Sequence, residues 1–290
     1  MNQQALEPEQ MNDQHICKVC CHKFSGKYCN RCGEKVVNPQ EKSFRHFLGS
    51  LLNAITFLDS KFLKTLKLMV LKPGFVSAQV IEGIRVPYVK PISMFFVINL
   101  IYFLMAGSDT YNTRLESQLN QMPYSSMISG VVAQKIEKEN ISMDVFRVRY
   151  EQQSTSLAKL MLIVFVLFTG VFILILNVKK KLYFYDHLTV SLEFNSMFIL
   201  IGNVVVQWFM FLLIKFMLLM DISLEQYLTD PVYTSFAVII AVAILYFMQR
   251  RVYQDSVVWS LVKALAFIPC LAMSMIAYRA ILFFATILTV

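Results

Sequence analysis

The chain has 290 residues, of which 57% are hydrophobic and only 16% charged, with a net charge of +8. Soluble domains carry roughly 45–50% apolar and about 25% charged residues, so this composition excludes an ordinary water-soluble globule and asks for lipid. The basic excess does not call for nucleic acid, because membrane proteins gather Lys and Arg in their cytoplasmic segments.

Residues 1–16 are polar and contain no apolar stretch of the kind that marks a cleavable signal peptide. They read as a disordered tail. Next come Cys17-Lys18-Val19-Cys20 and Cys29-Asn30-Arg31-Cys32-Gly33, and five of the six cysteines fall within the first 32 residues. Such clustering points to a metal site in a reducing compartment and not to a disulfide framework. Each CxxC turn presents two thiolates to one ion, and two turns complete a tetrahedral shell. Residues 17–40 are therefore predicted to form a small zinc ribbon with Cys17, Cys20, Cys29 and Cys32 as ligands. Gly33 stands where a backbone often needs positive φ. A segment this short has no core, so zinc would supply its folding free energy. A four-thiolate shell leaves no open position, which makes the site structural, with Cys21, His15 and His22 as bystanders.

Residues 41–87 are predicted to be a cytosolic amphipathic or interfacial helical region. From Phe44 to Leu71, apolar residues such as Phe47, Leu51, Ile55, Leu58, Phe62 and Leu66 recur at spacings of three and four. Lys61, Lys64 and Lys67 fall between them. Lys72-Pro73-Gly74 ends the helix, since Pro cannot continue it and Gly tolerates a left-handed turn. This helix either lies in the bilayer interface, lysines toward anionic head groups, or packs on the cytosolic ends of the spans. In Gly83–Pro91, Arg85, Tyr88 and Lys90 are candidates for head-group contacts with membrane lipids. Simple anchoring at the membrane entry is the plainer reading.

Residues 88–290 read as the transmembrane domain. A helix needs about 20 mostly apolar residues to cross a core of roughly 30 Å, and about five such spans are present: Tyr88–Ala106, Ala158–Val178, Leu192–Leu219, Pro231–Met248 and Leu261–Leu288, the last broken by Pro269 and Arg279. The intervening loop 107–157 is predicted to be external and flexible. Within it Met143–Tyr150 alternates, which suggests a short strand. Residues 1–90 carry 13 basic and 7 acidic side chains, against 5 and 6 in the 107–157 loop. Lys179-Lys180-Lys181 and Arg250-Arg251 mark two further basic loops, and Asp221–Asp230 is an acidic one. This alternation predicts a multi-pass protein of the cytoplasmic (inner) membrane, with the N-terminus cytoplasmic and the C-terminus external.

The third span holds a polar series, His187, Ser191, Asn195, Asn203 and Gln207. On a helix of 3.6 residues per turn it drifts by about 40° per step of four, so it is no straight proton wire. Polar groups inside a membrane face protein or a watery cavity. His187, Asn195, Asn203 and Arg279 are thus a possible polar membrane site, with interhelical hydrogen bonding the plainer reading. No nucleophile motif, phosphate loop or paired carboxylates occur, so no catalytic residues are assigned and an enzyme is not favoured.

The ribbon, Asp59-Ser60-Lys61-Phe62 with Thr65-Leu66, Lys72-Pro73-Gly74, and Gly83-Ile84-Arg85-Val86-Pro87-Tyr88-Val89-Lys90-Pro91 together resemble one family of uncharacterised bacterial membrane proteins, a domain of unknown function. The resemblance is best over residues 17–105. Tyr185-Asp186-His187-Leu188 is similar to a later motif of that family, in which further histidines follow; here Glu193 and Asn195 stand in that region. The resemblance implies an N-terminal zinc ribbon joined to several spans, and implies no activity. The expected role is that of an assembly, regulatory or scaffold protein, whose N-terminal region would meet a cytosolic protein partner. A transporter or lipid-handling protein is the alternative. The sequence names no small-molecule substrate.

Overall fold

The computed structural model describes residues 14–17, 20–26, 29–32, 60–105, 111–112, 114–218 and 230–290; the side chains of residues 14, 15, 230 and 231 are not described. The expectations for residues 1–13, for Gly33, for the amphipathic stretch before Ser60, and for the acidic loop through 229 lie outside these residues. The chain divides into two compact units, Met1–Ser60 and Lys61–Val290.

The first unit contains a two-stranded antiparallel hairpin, β1 (Gln14–Ile16) and β2 (Lys23–Ser25), in the register Gln14↔Ser25, His15↔Phe24, Ile16↔Lys23.

The second unit is helical. α1 is described over 60–71. It is followed by α2 (Phe75–Ile81), α3 (Pro91–Met105), α4 (Leu115–Gln121), α5 (Ser125–Glu139), α6 (Met143–Leu176), α7 (Phe184–Met197), a π-helical segment (Phe198–Val205), α8 (Val206–Leu218), α9 (Asp230–Arg251) and α10 (Val257–Thr289). Four helices among the described residues are long and apolar enough to cross a membrane: Met143–Leu176, Phe184–Leu218, Val232–Arg251 and Val257–Thr289. The first expected span is a shorter apolar helix of 15 residues, α3. At 1.5 Å per residue it covers only about 22 Å. The chain is thus mainly α and polytopic, with a cysteine cluster near its N-terminus.

α6 lies between α7 and α10, α9 packs on α10 and the π segment, and α3 packs on α7 and the π segment. The α6–α7 and α9–α10 turns lie at one end of this bundle. This basic end carries Lys179–Lys181 and Arg250–Arg251. The buried residues of α6, among them Phe146, Tyr150, Ser154, Ala158, Leu162 and Phe165, follow a helical period throughout. Met143–Tyr150 is therefore helix and not the short strand that its alternation suggests. The alternation is real, but Phe146 and Tyr150, four residues apart, are fully buried, while Val145 and Val148 are exposed. Ser142 also caps the helix by accepting from Val145 N, and Asp144 pairs with Arg147 one turn on.

The expected flexible loop is likewise structured where described. α4 and α5 build a satellite core in which Leu115, Ile128 and Val132 pack with Phe146, Tyr150, Phe283 and Ile287. Lys135 Nζ donates to Ile287 O at 3.0 Å, holding the hairpin to the last turns of α10. α10 also runs unbroken through Pro269.

Lys72-Pro73-Gly74 ends α1 as expected, and α2 starts at the next residue. Gly74 has φ +79°, and a Cβ there would lie 3.0 Å from Met248 Cα and 3.1 Å from Val252 Cγ2. Backbone handedness and close approach to α9 thus both require glycine. Gly74→Ala is expected to lower stability by about 2 kcal/mol or more, from left-handed strain plus the clash with backbone. Gly130→Ala is the control: it lies inside α5 with nothing within 4 Å, and should be neutral or stabilising by up to about 1 kcal/mol. Thermal unfolding of the purified pair measures both.

Candidate functional site

In the N-terminal unit, a tight turn follows β1. Cys17 N donates to His22 O and Cys21 N to Cys17 O, both at 2.9 Å, and Cys21 takes the left-handed conformation with φ 54°. This turn brings Cys17 and Cys20 to one side. Cys29 and Cys32 come back from the second turn to meet them. Cys17 Sγ lies 3.4 Å from Cys32 Sγ, and Cys20 Sγ 3.7 Å from Cys29 Sγ. All four sulfurs lie within 4.8 Å of one another.

These distances are far longer than a disulfide bond of about 2.05 Å. They approach the edge of roughly 3.8 Å that a tetrahedron with metal–sulfur bonds of about 2.3 Å requires. The donor set therefore fits one metal ion. Phe24 packs against Cys17 and Cys29, closing one side. Cys21 is exposed, and neither it nor His22 joins the four-sulfur group.

The bundle's polar residues separate into four places. At the basic end, His187 Nδ1 lies 2.8 Å from Tyr253 OH, with the two rings stacked at 5.6 Å. Burial pushes the Tyr253 phenol up, so it stays protonated. Nearby, Asp255 in the α9–α10 turn receives Lys263 Nζ at 2.6 Å and Lys180 Nζ at 2.9 Å. Lys263 also donates to Asn177 Oδ1, and Lys180 to Tyr253 O. The two interhelical turns are thereby tied together.

One turn and a half deeper, Glu193 is 2% exposed. Its carboxylate accepts Gly74 N at 3.0 Å and Ser77 N at 2.6 Å, and Ser77 Oγ donates to Thr189 O. Arg251 Nη1 donates to the adjacent Pro73 O. A buried carboxylate needs such charge-assisted partners, and here they are the backbone of the α1–α2 corner. Sequence reading passed over Glu193 because it lacked a second carboxylate. The signal that could have found it is the Lys72-Pro73-Gly74 corner, whose freed N–H groups need an acceptor.

Asn195 forms part of a third group, between α6 and α7. It donates to Thr169 Oγ1 and Ser191 O, both at 2.8 Å, while Ser191 Oγ donates to Val166 O. This is interhelical hydrogen bonding between small residues. A Cβ on Gly170 of α6 would lie 3.5 Å from Ser191 Cβ.

Asn203 and Arg279 are brought together in the fourth place. Asn203 Nδ2 donates to Tyr111 OH and to Phe198 O, five residues back, both at 3.2 Å. Tyr278 OH donates to Tyr111 O. Asn203, Gln207 and Arg279 line a cavity of about 680 Å³ between the π segment, α9 and α10. His187 and Asn195 are not in its wall.

The head-group candidates also diverge. Arg85 is exposed, with its guanidinium 5.9 Å from the Tyr185 ring, and Lys90 is exposed. Tyr88 is buried, edge-on to Phe75 at 6.2 Å with Lys64 Nζ 5.8 Å from its ring. Val89 N donates to Thr65 Oγ1. These contacts pack the Gly83–Pro91 segment against α1 and α2, so Tyr88 is an internal packing residue here.

Asp255 offers a pH test. Burial opposes its charge, but the Lys263 and Lys180 ammoniums outweigh that and hold its carboxyl below the ordinary Asp value. A folded value below the unfolded one contributes stability above the unfolded pKa, lost as pH falls through the folded one. Asp255→Asn should therefore cost about 1–3 kcal/mol at pH 7, between the surface and buried limits for ion pairs. The two proteins should converge only below the ordinary Asp titration range, which thermal melts against pH would reveal.

Residues 59–103 match the family described as "Protein of unknown function (DUF3667)". The matched segment contains Gly74 and Ser77, which Glu193 and Thr189 hold, and most of α3, which packs on α7 and the π segment. No curated protein and no solved structure matches the chain.

Proposed function

We propose that the chain is a multi-pass protein of the bacterial cytoplasmic (inner) membrane, with its N-terminus in the cytoplasm and its C-terminus outside. It carries a structural zinc ribbon and serves as an assembly, regulatory or scaffold protein that meets a cytosolic protein partner through its N-terminal region. The observation that carries this reading is the four-sulfur group, within 4.8 Å. An all-thiolate tetrahedron is a shell with no position left for water or substrate. Zinc is the ion that best suits four thiolates without redox chemistry. The basic turns at one end of the bundle support a C-terminus outside, and the cytoplasmic N-terminus then takes α3 as a fifth, shorter crossing. Lipid handling is the second reading, favoured by the cavity at Arg279.

Purified wild type should hold one equivalent of zinc, and Cys29→Ser should hold none. Cys21→Ser should keep it. Loss of metal should expose the first 40 residues to protease while leaving the spans inserted, since their backbone bonding is internal. Less than half an equivalent in wild type, or full metal in Cys29→Ser, overturns the assignment.

Orientation is tested separately by reporter fusions that are active only outside the membrane. Fusions at Asn120 and Val290 should be active, and those at Lys180 and Gln254 silent. The reverse pattern would invert the topology.

A further inference from the structure

The cavity between the π segment, α9 and α10 is polar at one end and apolar at the other. Arg279 stands 22 residues beyond the start of α10 at Val257, which is about 33 Å from the basic end. Tyr233 and Thr234, in the first turn of α9, and Gln207, at the start of α8, lie at that same far end. The remaining wall runs back toward the basic end along α9 as far as Val242 and along α10 as far as Ala264. From Arg279 to Ala264 is 15 residues, about 22 Å.

Small side chains make that space. Ala237, Ala241, Ala264 and Ala272 face it, with Phe267 and Leu271 between them. On the opposite wall the π segment presents Gly202 and Asn203. Wide π turns are frequent at functional sites. The volume of about 680 Å³ falls in the range of small-molecule sites, which are mostly apolar with a few convergent polar groups. An elongated, largely apolar cavity with a guanidinium and the Gln207 amide at one end matches an amphiphile and not a compact polar solute.

We propose that this cavity holds a single acyl chain bearing an anionic head group, a carboxylate or a phosphate monoester. The head sits at Arg279 and Gln207, and the chain runs along α9 and α10 toward Ala264. A guanidinium offers a planar fork of donors suited to both anions. Each methylene buried adds to affinity. This deepens the lipid-handling reading by naming what is bound, where, and which way round.

The test uses full-length protein in nanodiscs of zwitterionic lipid, with empty discs giving the partition background. A fluorescent single-chain fatty acid is the probe, and its displacement is followed. Oleate and oleoyl lysophosphatidate should displace it, and oleyl alcohol should be about tenfold weaker or worse. Inorganic phosphate should have no effect. Arg279→Gln should reduce oleate to the level of oleyl alcohol, while Arg279→Lys retains part of the preference. Ala241→Phe should abolish binding of every acyl compound, with Ala237→Leu as the milder filling variant if the first does not fold. Equal displacement by oleate and oleyl alcohol in wild type would overturn the head-group assignment while leaving lipid handling intact. Displacement by inorganic phosphate alone would overturn the acyl chain. Failure of the probe to bind above the empty discs would overturn both this proposal and the lipid-handling reading.

Discussion

Glu193 organises the basic end of the molecule. Its carboxylate is buried in α7 and takes two backbone N–H groups from the corner where α1 gives way to α2. Without that acceptor, the corner would leave donors buried and unsatisfied, at about 1–3 kcal/mol each. Without the corner, a carboxylate would lie in the bundle with no compensation. Each makes the other tolerable. Gly74 lets the corner come within contact of Met248 on α9, and Arg251 closes over it on Pro73. One carboxylate thus draws α2, α7 and α9 to a common point, and the Asp255 cluster fixes the neighbouring turns.

Much of this was legible in the sequence where local chemistry decided it. The CxxC pairs announced a four-thiolate group, since two-residue spacing turns both sulfurs to one side. Lys72-Pro73-Gly74 announced a helix end. Apolar length announced five spans, of which four are helices long enough to cross and the first is the shorter α3. Less legible was anything decided by a distant neighbour. Met143–Tyr150 alternates like a strand, but Phe146 and Tyr150 find Phe283 from the far end of the chain, and that contact selects the helical period. Tyr88 looks like an interfacial anchor until α1 and α2 fold over it. Glu193 reads as an isolated membrane carboxylate, because its partners are backbone groups over a hundred positions away.

The polar series of the third span shows the same division. Regular spacing suggested a drifting stripe. The structure gives each member a different neighbour: His187 meets Tyr253, Asn195 meets Thr169, and Asn203 meets Tyr111. The π segment begins after the second of these and contains the third, and its wider turns change which face Asn203 and Gln207 present. Sequence periodicity assumes a constant 3.6 residues per turn, so it cannot register a change of pitch within the span.

The two ends of the α9–α10 pair are held very differently. At the basic end, a five-residue turn is clamped by Asp255, Lys180 and Lys263. Farther along, both helices line the cavity, where Ala237, Ala241, Ala264 and Ala272 leave space. Mechanically α9 is then a lever on a fixed hinge, since α10 is held at its far end by Lys135 on Ile287 and by Tyr278 on Tyr111. A rotation of about 5° at the clamp displaces the helix by only tenths of an ångström one turn away, but by about 3 Å at the level of Arg279, some 33 Å along the axis. A small tilt of α9 would therefore widen the cavity at the level of Arg279 while the charged turn scarcely moves.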